Sequence, residues 1–142
     1  MKRIMSKGVL ITLCMLLVMA TLCGCNMSST NLPKGMDPDK ALSQAQGIAT
    51  SISKGEFEAV ADQFSDNMKA ELTVQDLRDA LEDEVEKRGA VTRFLSWSMR
   101  GASDDEAGEY AVVVLVCKCE KGSATFTICL DKESKICGLY MR

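Results

Sequence analysis

Histidine is absent from all 142 residues. Its absence removes the commonest general acid–base group near neutral pH and the commonest transition-metal ligand. Ser-His and Cys-His nucleophile pairs are excluded with it. Any catalysis would fall to carboxylates, Lys, Tyr or Cys. No Cys-x-x-Cys pair occurs either, which argues against a zinc site. No metal or cofactor is expected. No internal repeat is evident, and no apolar run reaches the ~20 residues that comfortably span a bilayer.

What is present is ordinary globular composition, 46% apolar and 26% charged, in a chain long enough for one domain. The net charge is −3. Three basic side chains, Lys2, Arg3 and Lys7, fall in the first 24 residues without an acid, so the remainder carries 14 basic against 20 acidic groups. An excess of acid gives no electrostatic reason to bind nucleic acid or anionic head groups.

The positive flank is followed by an apolar run from Val9 to Leu22, the layout of a secretion signal. It leads into Leu22-Cys23-Gly24-Cys25, which resembles the bacterial lipobox: an aliphatic residue, two small residues and an obligatory Cys. The resemblance implies a diacylglyceryl group on the Cys25 thiol, cleavage after Gly24, and Cys25 as the mature amino terminus. The expected organisation is a signal peptide over 1–24, a lipidated Cys and flexible tether over 25–36, and a domain over 37–142. The expected location is the outer face of a bacterial cell membrane, of the Gram-positive kind, held by acyl chains.

Asp37-Pro38 signals a helix start, and Ala41, Leu42, Ala45, Ile48, Ala49 and Ile52 recur at helical spacing up to Gly55. Gly47 lies inside that helix, either for a close contact or simply tolerated. A second helix is expected from Glu56, with Phe57, Val60, Ala61 and Phe64 in one stripe extended by Met68 and Leu72. Thr73 and Asp76 form a weak capping box for a third. Val74, Leu77, Leu81 and Val85 give its buried face, and Asp79, Glu82, Asp83 and Glu86 its solvated one.

After Gly89 the period becomes two. Strands are expected over Ala90–Arg100, Glu109–Glu120, Ser123–Asp131 and Ser134–Met141, with a loop over Gly101–Gly108. Two-residue turns at Lys121-Gly122 and Lys132-Glu133 would set Cys117 opposite Phe126, Cys119 opposite Ala124, Cys129 opposite Ile136 and Cys137 opposite Ile128. In that register no Cys faces another. Cys117, Cys119 and Cys137 share one face, and Cys129 takes the other. Buried free thiols are therefore expected of these four, with a disulfide as the alternative.

The second strand is apolar on both sides, and helices can cover only one. Val112, Val114, Val116, Cys129, Ile136 and Tyr140 are therefore expected as an uncovered patch that meets a second copy or an envelope protein. Trp97, Tyr110, Tyr140 and Arg93 are the large amphipathic side chains available to line a cavity.

Three helices before an antiparallel meander resemble the nuclear-transport-factor-2-like, or cystatin-like, cone. The expected fold class is α+β, three N-terminal helices packed on a four-stranded antiparallel meander sheet. The stretch from Gly55 to Val91 and the closing Asp131–Met141 look like the bacterial domain-of-unknown-function family DUF3887. The shared features are Gly55-x-Phe57 with Val60 and Phe64, Leu72-Thr73, Gly89, and Gly138-Leu139-Tyr140. Leu81 departs from the aromatic expected there. The family has no assigned catalytic residues, so none is carried over. The reading is a non-enzymatic envelope lipoprotein that binds a protein, peptide or small ligand. One alternative is a cone-fold enzyme using a cavity carboxylate such as Asp62 with Tyr110. The other is a self-associating structural module.

Overall fold

The computed structural model describes residues 28–142. Four helices and five strands follow in the order β1 (Ser28–Thr30), α1 (Pro38–Ser53), α2 (Phe57–Ala61), α3 (Asp66–Glu71), α4 (Val74–Arg88), β2 (Val91–Asp104), β3 (Gly108–Cys119), β4 (Gly122–Asp131) and β5 (Ile136–Met141). The strands form one sheet in chain order. β2 to β5 make an antiparallel meander, and β1 joins the outer side of β2 in parallel. The fold is α+β, but the helices do not open the described chain, because β1 precedes them. The leader and the lipobox lie outside the described residues.

α1 starts as its sequence dictates. The Asp37 carboxylate accepts from the amides of Asp39 at 3.0 Å and Lys40 at 3.3 Å, and Pro38 takes the first helical position. Ala41, Ala45, Ile48, Ala49 and Ile52 are buried along one stripe. Its last turn is fastened to the sheet by Ser53, which is buried. The Ser53 hydroxyl donates to the Thr50 carbonyl at 2.8 Å and accepts from the Val91 amide at 3.0 Å. No group approaches the position a Gly47 Cβ would occupy, so the close-contact reading fails and simple tolerance remains. Gly47→Ala is therefore expected to raise stability by about 0.5–1 kcal/mol through backbone entropy and helix propensity, measured as a higher urea midpoint.

The second expected helix is two helices. Between α2 and α3 the backbone turns outward to the sheet: the Ile136 amide donates to the Gln63 carbonyl at 2.8 Å, and the Ser65 amide to the Ile136 carbonyl at 2.8 Å. Ser65 then caps α3 by accepting from the Met68 amide at 3.3 Å. Phe64 pairs with Ile136 across this junction and is buried. Its spacing from Phe57 and Val60 suits a helix, but the backbone on either side of it, at Gln63 and Ser65, bonds to β5.

α4 has the expected cap in its full reciprocal form. Thr73 Oγ1 accepts from the Asp76 amide at 3.1 Å, and Asp76 Oδ2 accepts from the Thr73 amide at 2.8 Å. The Thr73 hydroxyl, which donates to Asp76 Oδ2 at 2.6 Å, and then the Thr73 amide hold the Asp76 carboxyl below its usual range. Leu77 and Val85 are buried, whereas Asp79, Glu82, Asp83 and Glu86 are exposed. Leu81, in place of an aromatic, packs half-buried against the core. Arg78 bridges to Glu58 of α2 at 2.7 Å and lies over the Phe57 ring, 5.1 Å from its centroid.

The expected tether is only partly a tether. Ser28–Thr30 pair with Ser98–Arg100 of β2, and Leu32 and Met36 pack against the core. The chain reaches the core by crossing β2 at Gly101, where an added Cβ would lie 1.7 Å from the Asn31 carbonyl oxygen. A glycine inside a strand marks such a close backbone approach. β2 consequently runs on to Asp104, through much of the stretch expected as a loop.

The β3–β4 turn is Glu120-Lys121, so Cys117 faces Ala124 and Leu115 faces Phe126. This register differs by two residues from the expected one. A shift of two preserves which side each residue occupies. At β4–β5 the expected turn is replaced by a longer connection and a register irregularity. Cys129 faces Gly138, Leu130 faces Ile136, and Cys137 is the extra residue between them. Ile136 therefore moves to the helical side and is fully buried.

Candidate functional site

The helices cover one side of the sheet and fill it. Met99, Val113, Leu115, Cys117, Phe126, Ile128, Leu130 and Ile136 meet Ile48, Ile52, Phe57, Val60 and Phe64 there, all fully or almost fully buried. Trp97 faces Leu115 and packs half-buried against this core. It lines no cavity with the other three side chains expected to do so. Arg93, Tyr110 and Tyr140 all occupy the opposite side of the sheet, aligned respectively with Lys118, Asp131 and Thr127. The structure thus separates Trp97 from its expected companions, because strand alternation sends them through opposite faces.

Among the described residues the opposite side carries no helix. Val112, Val114 and Val116 run down its centre. Ser96, Ser98 and Arg100 flank them on β2, and Thr125, Thr127 and Cys129 on β4. Of the residues expected as an uncovered patch, Tyr140 is 67% exposed, Val114, Val116 and Cys129 are half-buried, Val112 is buried at 7% exposure, and Ile136 lies on the helical side. Thr125, Thr127, Tyr140 and Arg142 border a shallow hollow of about 240 Å³ on this face. Gly138 sits below Cys129: a Cβ there would lie 3.1 Å from the Cys129 sulfur, so a larger residue would require that side chain to give by a few tenths of an ångström.

The four described cysteines are free. Cys117 and Cys119 are buried, and Cys129 and Cys137 half-buried. Burial pushes the Cys117 and Cys137 thiols up to about 12, and raises those of Cys119 and Cys129. At neutral pH all four are neutral thiols, poor nucleophiles and poor metal ligands. Cys137 does not join Cys117 and Cys119 on the core side. As the extra residue of the bulge it lines a separate cleft beside α3.

That cleft has a volume of about 330 Å³ and includes Asp66, Glu71, Asp104, Glu106 and Asp131. Two of these acids are committed to backbone turns. Asp104 Oδ1 accepts from the amides of Glu106 at 3.0 Å and Ala107 at 2.6 Å. Asp131 Oδ1 accepts from those of Glu133 at 3.0 Å and Lys135 at 2.8 Å. Among the described residues no group of three His, Cys, Asp or Glu is arranged to hold a metal ion.

The residues weighed for an enzyme do not meet. Asp62 is exposed at the end of α2, beside the stretch that bonds the outer side of β5. Tyr110 lies on β3, three strand spacings of ~4.8 Å away. Burial raises the Tyr110 phenol above its ordinary value, with Asp104 adding to the rise.

The family model for proteins of unknown function DUF3887 matches residues 45–139. The chain belongs to the DUF3887 family. The match runs from within α1 through most of β5, so α2, α3, the pinning of Phe64 and most of the meander lie within the family segment. An NMR structure of a protein from Ruminococcus gnavus ATCC 29149 is similar to this DUF3887 chain, with a TM-score of 0.67 and 22% identity. The similarity covers 78% of this chain and 95% of that one. At that identity the likeness shows the fold alone. No curated protein sequence matches the chain. Among the described residues no helix is long and apolar enough to cross a membrane.

Proposed function

We propose that this DUF3887 chain is an exported lipoprotein, anchored through Cys25 at the outer face of a bacterial membrane, whose domain works by binding and not by catalysis. Helices packed on one side of a meander support placing it with the nuclear-transport-factor-2-like cones. The observation that carries the binding reading is the contrast between the sheet's two sides. The side that would hold a substrate in an open cone is filled by side chains of near-zero exposure. The side with free surface carries half-buried Val114 and Val116 and an exposed tyrosine. An acid–base site needs a carboxyl group walled by apolar side chains. Asp62 is exposed and far from Tyr110.

Anchoring rests on the order of charged flank, apolar run and Leu22-Cys23-Gly24-Cys25. Expression of the full chain in a bacterial host tests it. Native protein is expected in the membrane fraction, with mass spectrometry finding Cys25 as the amino terminus bearing diacylglyceryl. Cys25→Ala is expected to carry no lipid and to keep its leader. An unmodified Cys25 thiol in the native protein, or an uncut leader, would overturn the reading.

A further inference from the structure

The charges of this domain are segregated. Arg93, Arg100, Lys118 and Arg142 are all exposed, and all belong to the uncovered side of the sheet. The acids on that side, Asp104 and Asp131, stand at one end with carboxylate oxygens bonded to turn amides, and share a cleft there with Asp66, Glu71, Glu106 and Glu133. The exposed acids of α4 point away on the helical side, and the acids that reach this face gather at that one end, so the rest of it is left to the cations. Its net charge therefore misdescribes this surface: four cations frame an apolar stripe of Val112, Val114 and Val116 with Tyr140 beside it.

The chain length adds a second constraint. Cys25 precedes Ser28, the first residue of β1, by three residues. At ~3.6 Å per residue the lipid attachment lies within about 11 Å of the sheet border. The valine strand is two strand spacings in from β1, about 10 Å. A domain held this closely must present some surface to the bilayer at all times.

We propose that the uncovered face of the sheet lies against the anionic head groups of the membrane that holds the lipid. This rests on the anchoring reading above and names the partner of the exposed face. Cations meet lipid phosphates, while Tyr140 offers a ring with a polar tip suited to the interfacial layer. The helical side, with Asp79, Glu82, Asp83 and Glu86 outermost, would be repelled by the same surface. A second copy is the weaker occupant, because a two-fold contact through this face sets like cations against each other. The short attachment makes docking intramolecular, so a contact too weak to recruit free protein still orients the anchored one.

The test uses the full lipidated chain, its Cys25 adduct first confirmed by mass spectrometry. The protein is reconstituted in vesicles containing phosphatidylglycerol and in vesicles of phosphatidylcholine alone, then labelled with hydroxyl radicals. Tyr140 modification is expected to fall by about threefold on the anionic vesicles, with Leu81 of α4 unchanged, and high salt should restore it. Arg100→Glu with Lys118→Glu should abolish the protection while circular dichroism and anchoring stay native. Lipidated protein with equal Tyr140 reactivity on both vesicles overturns this inference and leaves the anchor standing. An unmodified Cys25 overturns both. Protection that appears in detergent and grows with protein concentration assigns the face to a second copy and overturns the bilayer as partner.

Discussion

Replacing Phe64 with alanine is expected to destabilise the domain by about 3–5 kcal/mol, a large share of the ~5–15 kcal/mol typical of a whole domain. Phe64 is 1% exposed and sits where the helical layer joins the sheet. Truncation removes its ring from between α2, α3 and β5 and leaves a void that rigid backbone on both sides cannot close. Gln63 and Ser65 make their hydrogen bonds to Ile136 only if this junction keeps its place. Loss of the ring should therefore show twice: as a urea midpoint sharply lower at unchanged slope, and as faster exchange at the Ser65 and Ile136 amides. Phe64→Leu keeps most of the volume and should cost under about 1.5 kcal/mol. A near-neutral Phe64→Ala would mean that the junction is not packed as described.

Gly101→Ala adds one methyl group and is expected to detach the first described strand. The new Cβ would stand 1.7 Å from the Asn31 oxygen and 2.7 Å from the Asn31 carbon. Both are backbone atoms, so no side-chain rotation relieves the overlap. The crossing segment must lift, taking β1 off β2 and withdrawing Leu32 and Met36 from the core. Those side chains are half-buried, so the expected loss is about 2–4 kcal/mol. Amide exchange should rise across Ser98–Arg100 and remain slow in β3 and β4. The same substitution at Gly47 acts in the opposite direction, since nothing stands within 4 Å of the added atom there. Equal exchange in Gly101→Ala and the unmodified chain would show that the crossing is not made.

Much of this architecture is written in local pattern. The stripe of α1, the caps at Asp37 and Thr73, and the change of period after Gly89 each follow from side chains a few residues apart. The faces of Val112, Val114, Val116 and Tyr140 also survive a register error of two, because alternation repeats every two residues. What was hidden depends on partners distant in sequence. Phe64 fits a helical stripe, and only Ile136 draws it to the sheet. Cys137 looks like a regular strand residue, and the bulge that displaces it moves Ile136 through the sheet. Ser28–Thr30 have no apolar signature, and their strand exists because β2 offers them a border. Gly101 was the available clue to that crossing, a glycine within what proved to be a strand. The cationic rim was obscured for another reason: counting charges along the chain averages over surfaces that the fold separates.

The two borders of the sheet are interrupted by different means. Beyond β5, Gln63 and Ser65 occupy the outward hydrogen-bonding groups of Ile136. Beyond β2, β1 covers three residues, and the remainder is broken by register irregularities at Val91/Arg93 and Phe94/Ser96. An unbroken bare border is a template on which further chains polymerise. Here the blocks at Ile136 and along Ser98–Arg100 shorten the strand left bare on each side, so copies crowded together on a surface find less of it to extend.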